Sequence, residues 1–280
     1  MNRTISSPDS LDPDRIKSHL KTRRIGKKVV VYTSTSSTND VAAQYAKNKN
    51  NDGLVVLAEE QTSGRGRSGA RWVSAPGKNI LCSILWFDKL TIPGKVEGLT
   101  DCSLDAELLS LTIAVAVAEA IGKCAKTEAK IKWPNDVIVN NKKIAGILIE
   151  SVTSCKYSTY VIGVGINCHQ RKDDFSAELQ KTATSIDIET GTGADRISLI
   201  KRLLVSVEHW LDVVEKKPQK VIERWQKLST QLNHRIALVY NRKRYVGNCI
   251  GVHPRDGLVL HLDTGGIRMF HAAQTTIAKE

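Results

Sequence analysis

Aromatic residues are scarce in this chain: they make up 5% of its 280 residues, and only three of them are phenylalanine. A protein that binds single-stranded nucleic acid without sequence preference stacks successive bases on exposed aromatic rings. So few rings cannot provide a series of such platforms. The composition therefore disfavours a basic nucleic-acid-binding module, which stays the alternative from outside the enzyme classes.

The cysteines form no pattern typical of a metal site or a disulfide framework. No two are spaced as Cys-x-x-Cys, and no histidine lies at zinc-finger spacing. Scattered thiols of this kind are typical of a reducing compartment, so we expect free thiols in a cytoplasmic protein. The six residues are Cys82, Cys102, Cys124, Cys155, Cys168 and Cys249.

The chain also lacks a recognisable targeting or membrane-spanning segment. Its N-terminal region has no apolar stretch, and Asp9, Asp12 and Asp14 argue against a transit peptide. The longest apolar stretch, residues 111–121, contains Glu119 and is too short to cross a bilayer. We therefore expect no membrane association.

Acidic residues are outnumbered by basic ones. The chain contains 41 lysines and arginines against 29 aspartates and glutamates, which gives a formal net charge of +12 at pH 7. No run of about five or more like charges marks a basic tail that binds nucleic acid. This diffuse excess favours anionic partners, such as nucleic acid, an acidic protein surface or anionic small molecules.

Length and periodicity predict an α/β (α+β) fold with two folded parts after a flexible segment. We expect the flexible segment over residues 1–25, with one short helix over 14–24, a large domain over 26–232 and a small all-β barrel over 233–280. The large domain should contain a mixed, largely antiparallel sheet flanked by helices. Its expected helices cover 38–47, 104–121 (ended by Gly122), 196–215 and 219–227. Its expected strands cover 28–32, 54–59, 80–86, 137–139, 144–149 and 157–164. The expected barrel strands cover 236–240, 244–251, 258–261 and 267–271.

The segment from Gln61 to Trp72, called the Gly/Arg loop below, has the composition of a ligand-binding loop. Residues 64–71 contain three glycines and three arginines within eight positions. Glycine lets backbone N–H groups approach a ligand closely, and the arginine guanidinium is a forked donor suited to carboxylate and phosphate. The pattern predicts a loop that closes over a polyanion. The alternative is an exposed basic loop with no specific ligand.

Three glycines of this loop also match a dinucleotide-binding fingerprint, G-x-G-x-x-G. They are Gly64, Gly66 and Gly69, and Asp88 lies 19 residues beyond the last of them. That fingerprint requires a helix that begins at the glycines and receives the pyrophosphate. Here a Pro-Gly turn and a buried strand follow, so no helix fits. A P-loop is excluded as well, because Ala70 stands where lysine is needed.

Two further segments combine polar residues with predicted strands. Lys132, Asn135 and Asp136 flank Pro134, which is barred from the centre of a sheet and therefore marks a strand end or a bend. This cluster could bind a ligand or form only an Asx-type turn. Lys143 begins the strand that follows the hairpin turn at residues 140–142.

Glycines interrupt two apolar strands. Gly146 lies in one of them, and Gly163 and Gly165 are two residues apart in the other, so that both face one side of the pleat. A strand without side chains on one face leaves room there. A flat ligand could fill that room, or a helix could cross the sheet closely.

Together these segments resemble the biotin–protein ligases, also called biotin–[acetyl-CoA-carboxylase] ligases or holocarboxylase synthetases. The resemblance extends from about residue 29 to the C-terminus and implies a class II synthetase-like catalytic domain followed by an SH3-like barrel. It rests on five motifs in the family's order: Ser37-Thr38-Asn39, the Gly/Arg loop with Gln61 and Trp72, Lys132-Trp-Pro-Asn-Asp136, Lys143-Ile-Ala-Gly146-Ile-Leu-Ile-Glu150 and Gly163-Val-Gly165-Ile-Asn167.

The resemblance implies a two-step ligation. Biotin and ATP, with Mg²⁺, form biotinyl-5′-adenylate and pyrophosphate, and a lysine of a biotin carboxyl carrier domain of acetyl-CoA carboxylase then displaces AMP. The carrier is usually acidic around this lysine, which suits the positive charge of the chain. A homodimer is one option for its assembly.

The resemblance also implies roles for individual residues. Arg67 and Lys143 are expected to be catalytic, and Asp136 is expected to bind the metal. The residues expected to bind biotin are Ser37, Thr38, Asn39, Gln61, Gly64, Arg65, Gly66, Gly146, Gly163 and Gly165. Those expected to bind ATP or the adenylate are Arg67, Arg71, Trp72, Lys132, Asn135, Lys143 and Asn167.

The chain departs from the family pattern at two places. Many members carry arginine directly after the third glycine of the loop, where this chain has Ala70, with Arg71 next. Members that also act as repressors carry a helix-turn-helix before the Ser-Thr-Asn motif, for which residues 1–36 leave no room, so we expect no specific DNA binding. A lipoate–protein ligase or octanoyltransferase of the same fold is the sister alternative, and the Gly/Arg loop favours biotin.

Overall fold

The computed structural model describes residues 9–87, 106–154 and 157–278. Within these ranges one sheet consists of β1 (Val29–Tyr32), β2 (Val55–Ala58), β3 (Asn79–Phe87), β4 (Lys130–Lys132), β5 (Asp136–Val139), β6 (Lys142–Ser154) and β7 (Tyr157–Asn167). Their order across the sheet is β1-β2-β3-β7-β6-β5-β4. β1 and β2 are parallel, and the other neighbours are antiparallel. The expected mixed, largely antiparallel sheet is confirmed.

Helices cover both faces of this sheet. In the described ranges they are α1 (Pro13–Lys17), α2 (Thr38–Tyr45), α3 (Ala106–Ala125), α4 (Leu179–Thr182), α5 (Ile186–Thr190), α6 (Arg196–Lys216) and α7 (Pro218–Leu228). Alternate residues of β7 point to opposite faces. Ile162 packs in the cluster that contains α3, whereas Val161 packs with Val41 and Ala42 of α2. Helices α2 and α3 therefore lie on opposite faces.

Helix α3 is the central helix of the core. By length and composition alone it could cross a membrane, but 61% of its most apolar window is buried inside the fold. The helix ends at Ala125 and not at Gly122, so the predicted end is wrong. Lys126 adopts the left-handed conformation that ends the helix, with φ of 49°.

The prediction of a flexible segment over residues 1–25 differs from the structure for residues 9–25. Leu11, Ile16 and Ile25 are buried. The expected helix is confined to α1, because Ser18 leaves the helical conformation, with ψ of 121°, and His19 has a φ of 56°. Residues 1–8 lie outside the described ranges, as do Asp88, Cys102 and Cys155.

Two sets of hydrogen bonds to carboxylates fasten this N-terminal segment to the large domain. At one end, the buried Arg196 side chain donates to Asp9 at 2.5 Å and to Glu59 at 2.7 Å. At the other, the carboxylate of Glu208 on α6 accepts the backbone N–H groups of residues 23, 24 and 25 at 2.7 to 2.9 Å. The segment therefore belongs to the fold.

A second, antiparallel sheet follows α7. Among the described residues its strands are β8 (Arg235–Tyr240), β9 (Lys243–His253), β10 (Gly257–Leu262), β11 (Ile267–Phe270) and β12 (Thr275–Ile277). They lie in the order β11-β10-β9-β8-β12. The four strands expected here are confirmed. β12 was missed because it is only three residues long.

The cysteines of the described ranges are unpaired, as expected. Cys82, Cys124, Cys168 and Cys249 are free thiols. Burial raises the pKa of Cys82 to about 12 and that of Cys249 to about 11. Since the thiolate is the reactive form, these buried thiols are chemically inert at neutral pH.

Glu208 yields a stability prediction with a defined pH dependence. Burial alone would raise the pKa of Glu208, but the three backbone N–H donors lower it below its ordinary value of 4.5. Its stabilising effect is therefore complete above pH 4.5 and disappears as the pH falls through the lower, folded-state pKa. We expect Glu208→Gln to reduce the free energy of unfolding at pH 7 by about 2 kcal/mol in urea titrations.

The difference between wild type and Glu208→Gln should shrink in acid. Glu215→Gln serves as the matched control, since Glu215 is an exposed carboxylate on the same helix. A difference that stays constant from pH 7 to pH 3.5 would contradict this account.

Candidate active site

One row of residues crosses the sheet on the face that carries α2. Lys132 pairs with Asp136, Asp136 with Gly146, Gly146 with Gly165, and Gly165 with Leu81. Residues directly opposite one another on neighbouring strands share a face. Four residues predicted from three separate motifs therefore lie side by side, and two of them are glycine.

A β-bulge brings Lys143 to the same face. The register of β5 against β6 shifts so that Ile138 opposes Lys143 while Val137 opposes Ala145, which leaves Ile144 as the extra residue. Without the bulge, Lys143 and Gly146 would point to opposite faces, because they are three residues apart. With it, the Nζ of Lys143 lies 2.6 Å from Oδ1 of Asp136.

The indole of Trp72 covers the two paired glycines. A Cβ added to Gly165 would lie 2.5 Å from Cε2 of Trp72, and one added to Gly146 would lie 2.9 Å from Cζ3. The Nζ of Lys143 is 5.5 Å from the centroid of the same ring. The predicted room above these glycines therefore exists, but the protein's own tryptophan occupies it and forms a wall of the site.

Gly163 serves a different purpose. A Cβ there would lie 2.4 Å from Oδ1 of Asn39 in the first turn of α2, so the alternative of a closely crossing helix is correct at this position. Ser83 donates to Asn39 Oδ1 at 2.6 Å, and Asn39 Nδ2 donates to Glu150 at 2.6 Å. Both ends of the Asn39 amide are thus engaged by the protein.

The hydroxyl-rich segment before α2 presents a buried set of neutral hydrogen-bonding groups. Ser37 occupies the N-cap position, but its side chain makes no capping bond. The N–H and the hydroxyl of Thr38 both donate to Oε1 of Gln61, at 2.7 and 2.9 Å. This double contact fixes the orientation of the Gln61 amide at the start of the Gly/Arg loop.

The first arginine of the loop is neutralised by carboxylates. Arg65 donates both guanidinium arms to Asp40, at 2.7 and 2.8 Å, and lies 3.3 Å from Glu150. Its hydrogen bonds hold the pKa of the Asp40 carboxyl below its usual range. The Gly66 N–H is also engaged, since it donates to the Ala70 carbonyl at 2.6 Å. These groups shape the loop.

Arg67 lines an open cleft, beside Arg65. The cleft has a volume of about 330 Å³. Burial lowers the pKa of Arg67, against the opposing effect of the negative charges on Glu107 and Asp136. Its Nη2 donates to the carbonyl of Ala272 in the C-terminal sheet. The residues that line the cleft are Arg65, Gly66, Arg67, Ser68, Gly69, Ala70, Leu148, Glu150 and Ala273.

Ala70 stands where many biotin–protein ligases carry arginine, and the structure shows that Arg71 does not take its place in the cleft. Ala70 lines the cleft, whereas Arg71 donates to the carbonyl of Thr62 at 3.1 Å and is absent from the lining. The loop contains a single 3-10 turn at Arg67–Gly69 and no α-helix in this described segment, which agrees with the exclusion of a dinucleotide fold.

Two residues expected at the adenylate are used inside the protein. The Nδ2 of Asn135 donates to the carbonyl of Ile147 at 2.7 Å. Asn167 is only 5% exposed, accepts from Asn79 at 3.1 Å and donates to the Thr184 carbonyl at 2.9 Å. Both amides hold strand ends in place. Lys132, by contrast, is exposed.

Sequence reasoning missed several polar groups of the site. Ser83 was detectable as a hydroxyl inside an otherwise apolar strand. Glu150 was detectable as the last residue of the motif that begins at Lys143. Asp40 and Ala272 gave no local signal, since their contacts with the loop arginines span 25 and 205 residues of sequence.

Comparison with known proteins identifies the family. Residues 31–167 match the model of the Biotin/lipoate A/B protein ligase family. The bifunctional ligase/repressor BirA of Bacillus spizizenii is 29% identical over 272 residues, which cover 96% of this chain and 80% of that protein. The biotin–[acetyl-CoA-carboxylase] ligase of Mycobacterium tuberculosis is 32% identical over 210 residues, which cover 71% of this chain and 72% of that protein.

A solved structure has the same fold. The biotin protein ligase of Aquifex aeolicus, in complex with biotin and ATP, superposes with a TM-score of 0.73 at 23% identity. The match covers 91% of this chain and all of that one. The family model and the relatives agree with the five motifs and the site they form. The chain therefore belongs to the biotin–protein ligases of the biotin/lipoate A/B protein ligase family.

Proposed function

We propose that this chain joins biotin to ATP, forming biotinyl-5′-adenylate, and transfers the biotinyl group to a lysine of a biotin carboxyl carrier protein. The observation that carries the proposal is the arrangement on one sheet face. Buried neutral hydrogen-bonding groups lie at one end, and the cations Arg67 and Lys143 lie at the other, with the indole of Trp72 against the sheet.

The neutral end suits the ureido ring of biotin. A ureido group is uncharged and offers one carbonyl acceptor and two N–H donors. Ser37, Thr38 and Gln61 supply hydroxyl and amide groups that can donate or accept without introducing a charge. The indole of Trp72, which covers the paired glycines, provides an apolar wall for the rest of the bicyclic ring.

The cationic end suits the chemistry of adenylation. An oxygen of the biotin carboxylate attacks the α-phosphorus of ATP, the bond to the β-phosphate oxygen breaks, and pyrophosphate departs with the bonding electrons. Arg67 and Lys143 stabilise the negative charge that accumulates on the phosphoryl oxygens, and they act by position and charge without a covalent intermediate. The acceptor lysine then attacks the anhydride carbonyl, loses a proton and releases AMP.

Asp136 is the residue that would hold Mg²⁺. Within the described residues, no group of three or more His, Cys, Asp or Glu side chains could form a complete metal cage. One carboxylate nevertheless fits this ion, because Mg²⁺ usually binds through one or two carboxylates plus substrate phosphates. Bound there with ATP, the ion would neutralise phosphate charge. Asp136 also orients Lys143 through their 2.6 Å ion pair.

The remaining assignments are part of the same proposal. Lys132, exposed beside Asp136, is positioned for the outer phosphates of ATP. The net charge of +12 favours an acidic carrier domain as the protein partner. We also propose a cytoplasmic location, since the described cysteines are free thiols.

Biotin-dependent exchange of ³²P-labelled pyrophosphate into ATP is the experiment that tests this function. We expect exchange with biotin and ATP, and at least about 100-fold less with lipoate or octanoate, because the neutral polar end would be left without partners. Exchange with lipoate but not with biotin would instead support the lipoate–protein ligases of the same family.

The charge of Lys143 can be removed without shortening its side chain much. Lys143→Gln keeps the length of the side chain but removes its charge, and we expect kcat of the exchange reaction to fall about 100-fold. Lys142→Gln is the matched control, because its side chain starts from the opposite face of β6. Equal kcat values for the two variants would contradict the role given to Lys143.

A further inference from the structure

Ala272 joins the C-terminal sheet to the candidate active site through two backbone contacts. Its N–H donates to Oε1 of Glu107 at 2.7 Å, and its carbonyl accepts from the guanidinium of Arg67. Glu107 lies in the first turn of α3, and Arg67 lies in the Gly/Arg loop. One residue of the C-terminal part thus links a carboxylate of the large domain to the arginine that faces the cleft.

Glu107 is enclosed where the two parts meet. Its side chain is only 17% exposed. A Cβ added to Gly257, at the turn before β10, would lie 3.2 Å from Oε2 of Glu107. The carboxylate therefore touches the C-terminal part at two separate points. Its place in the first turn of α3 is favourable for a negative charge, because the N-terminal end of a helix is electropositive.

The same carboxylate acts on Arg67 by charge. Arg67 loses solvation in the cleft wall, which lowers its pKa, and the negative charge of Glu107 opposes this effect more strongly than that of Asp136. The guanidinium has five N–H donors, so the bond to Ala272 leaves others available to a ligand in the cleft that Arg67 lines. The Ala272 contact thus orients Arg67 without blocking it.

We infer that Glu107 is a positioning residue for adenylation: it fixes Ala272, and through Ala272 it holds the guanidinium of Arg67 towards the cleft. The inference rests on the proposed function, in which Arg67 stabilises the phosphoryl transition state. Orientation of this kind lowers the barrier to the chemical step and leaves biotin binding largely unchanged. None of the five sequence motifs includes Glu107.

A double-mutant cycle in the biotin-dependent pyrophosphate-exchange assay tests this inference on the full chain. We expect Glu107→Ala to lower kcat about tenfold while the KM for biotin changes less than about twofold. Glu107→Gln should lose less, because its amide oxygen still accepts the Ala272 N–H. The double variant Arg67→Ala/Glu107→Ala should be no slower than Arg67→Ala alone, since Glu107 acts through Arg67.

Asp263→Asn is the matched control, because Asp263 is a carboxylate of the C-terminal part, between β10 and β11, that pairs with Arg235 at 2.6 Å. It should keep wild-type kcat. Additive losses in the double variant, or a wild-type kcat in Glu107→Ala, would overturn the inference. If Glu107→Ala unfolds, the same cycle is measured with Glu107→Gln. Additive losses in Arg67→Ala/Glu107→Gln would then overturn the inference. A wild-type protein without biotin-dependent exchange would overturn the proposed function as well.

Discussion

The close approach of Trp72 to the sheet is the constraint on which the candidate site depends. Gly146 and Gly165 are opposite one another on neighbouring strands, and any larger residue at Gly165 would collide with the indole at 2.5 Å. Because Trp72 ends the Gly/Arg loop, its position determines where the loop lies. The same indole lies 5.5 Å from the Nζ of Lys143, so the contact brings the end of the loop next to this cation of the sheet.

The site is assembled from parts that are far apart in the sequence. The bulge at Ile144 turns Lys143 to the face that carries Asp136. The Gly163 position admits the first turn of α2, and the C-terminal sheet reaches Arg67 through Ala272. Each contact joins a different pair of elements, so the polar groups are held by packing of the whole domain and not by one loop.

The sequence was sufficient for the longer strands and helices of the large domain, whereas the short elements β4, α4 and α5 were missed. Period-two glycines indicated room on one face of the sheet, but not that Trp72 and Asn39 would fill it. The bulge on β6 could not be foreseen, since it depends on pairing with β5. Asn135 and Asn167 show that a polar side chain in a motif can also serve the backbone of its own fold.

The most direct test of the central claim is the affinity for biotin when the contact between Gly165 and Trp72 is disturbed. Isothermal titration calorimetry should show that Gly165→Ala weakens biotin binding at least about tenfold, because the indole must shift to accept the new methyl group. Gly251→Ala is the control, since its Cβ would meet only Gln226, at 3.9 Å. Unchanged biotin affinity in Gly165→Ala would contradict the account.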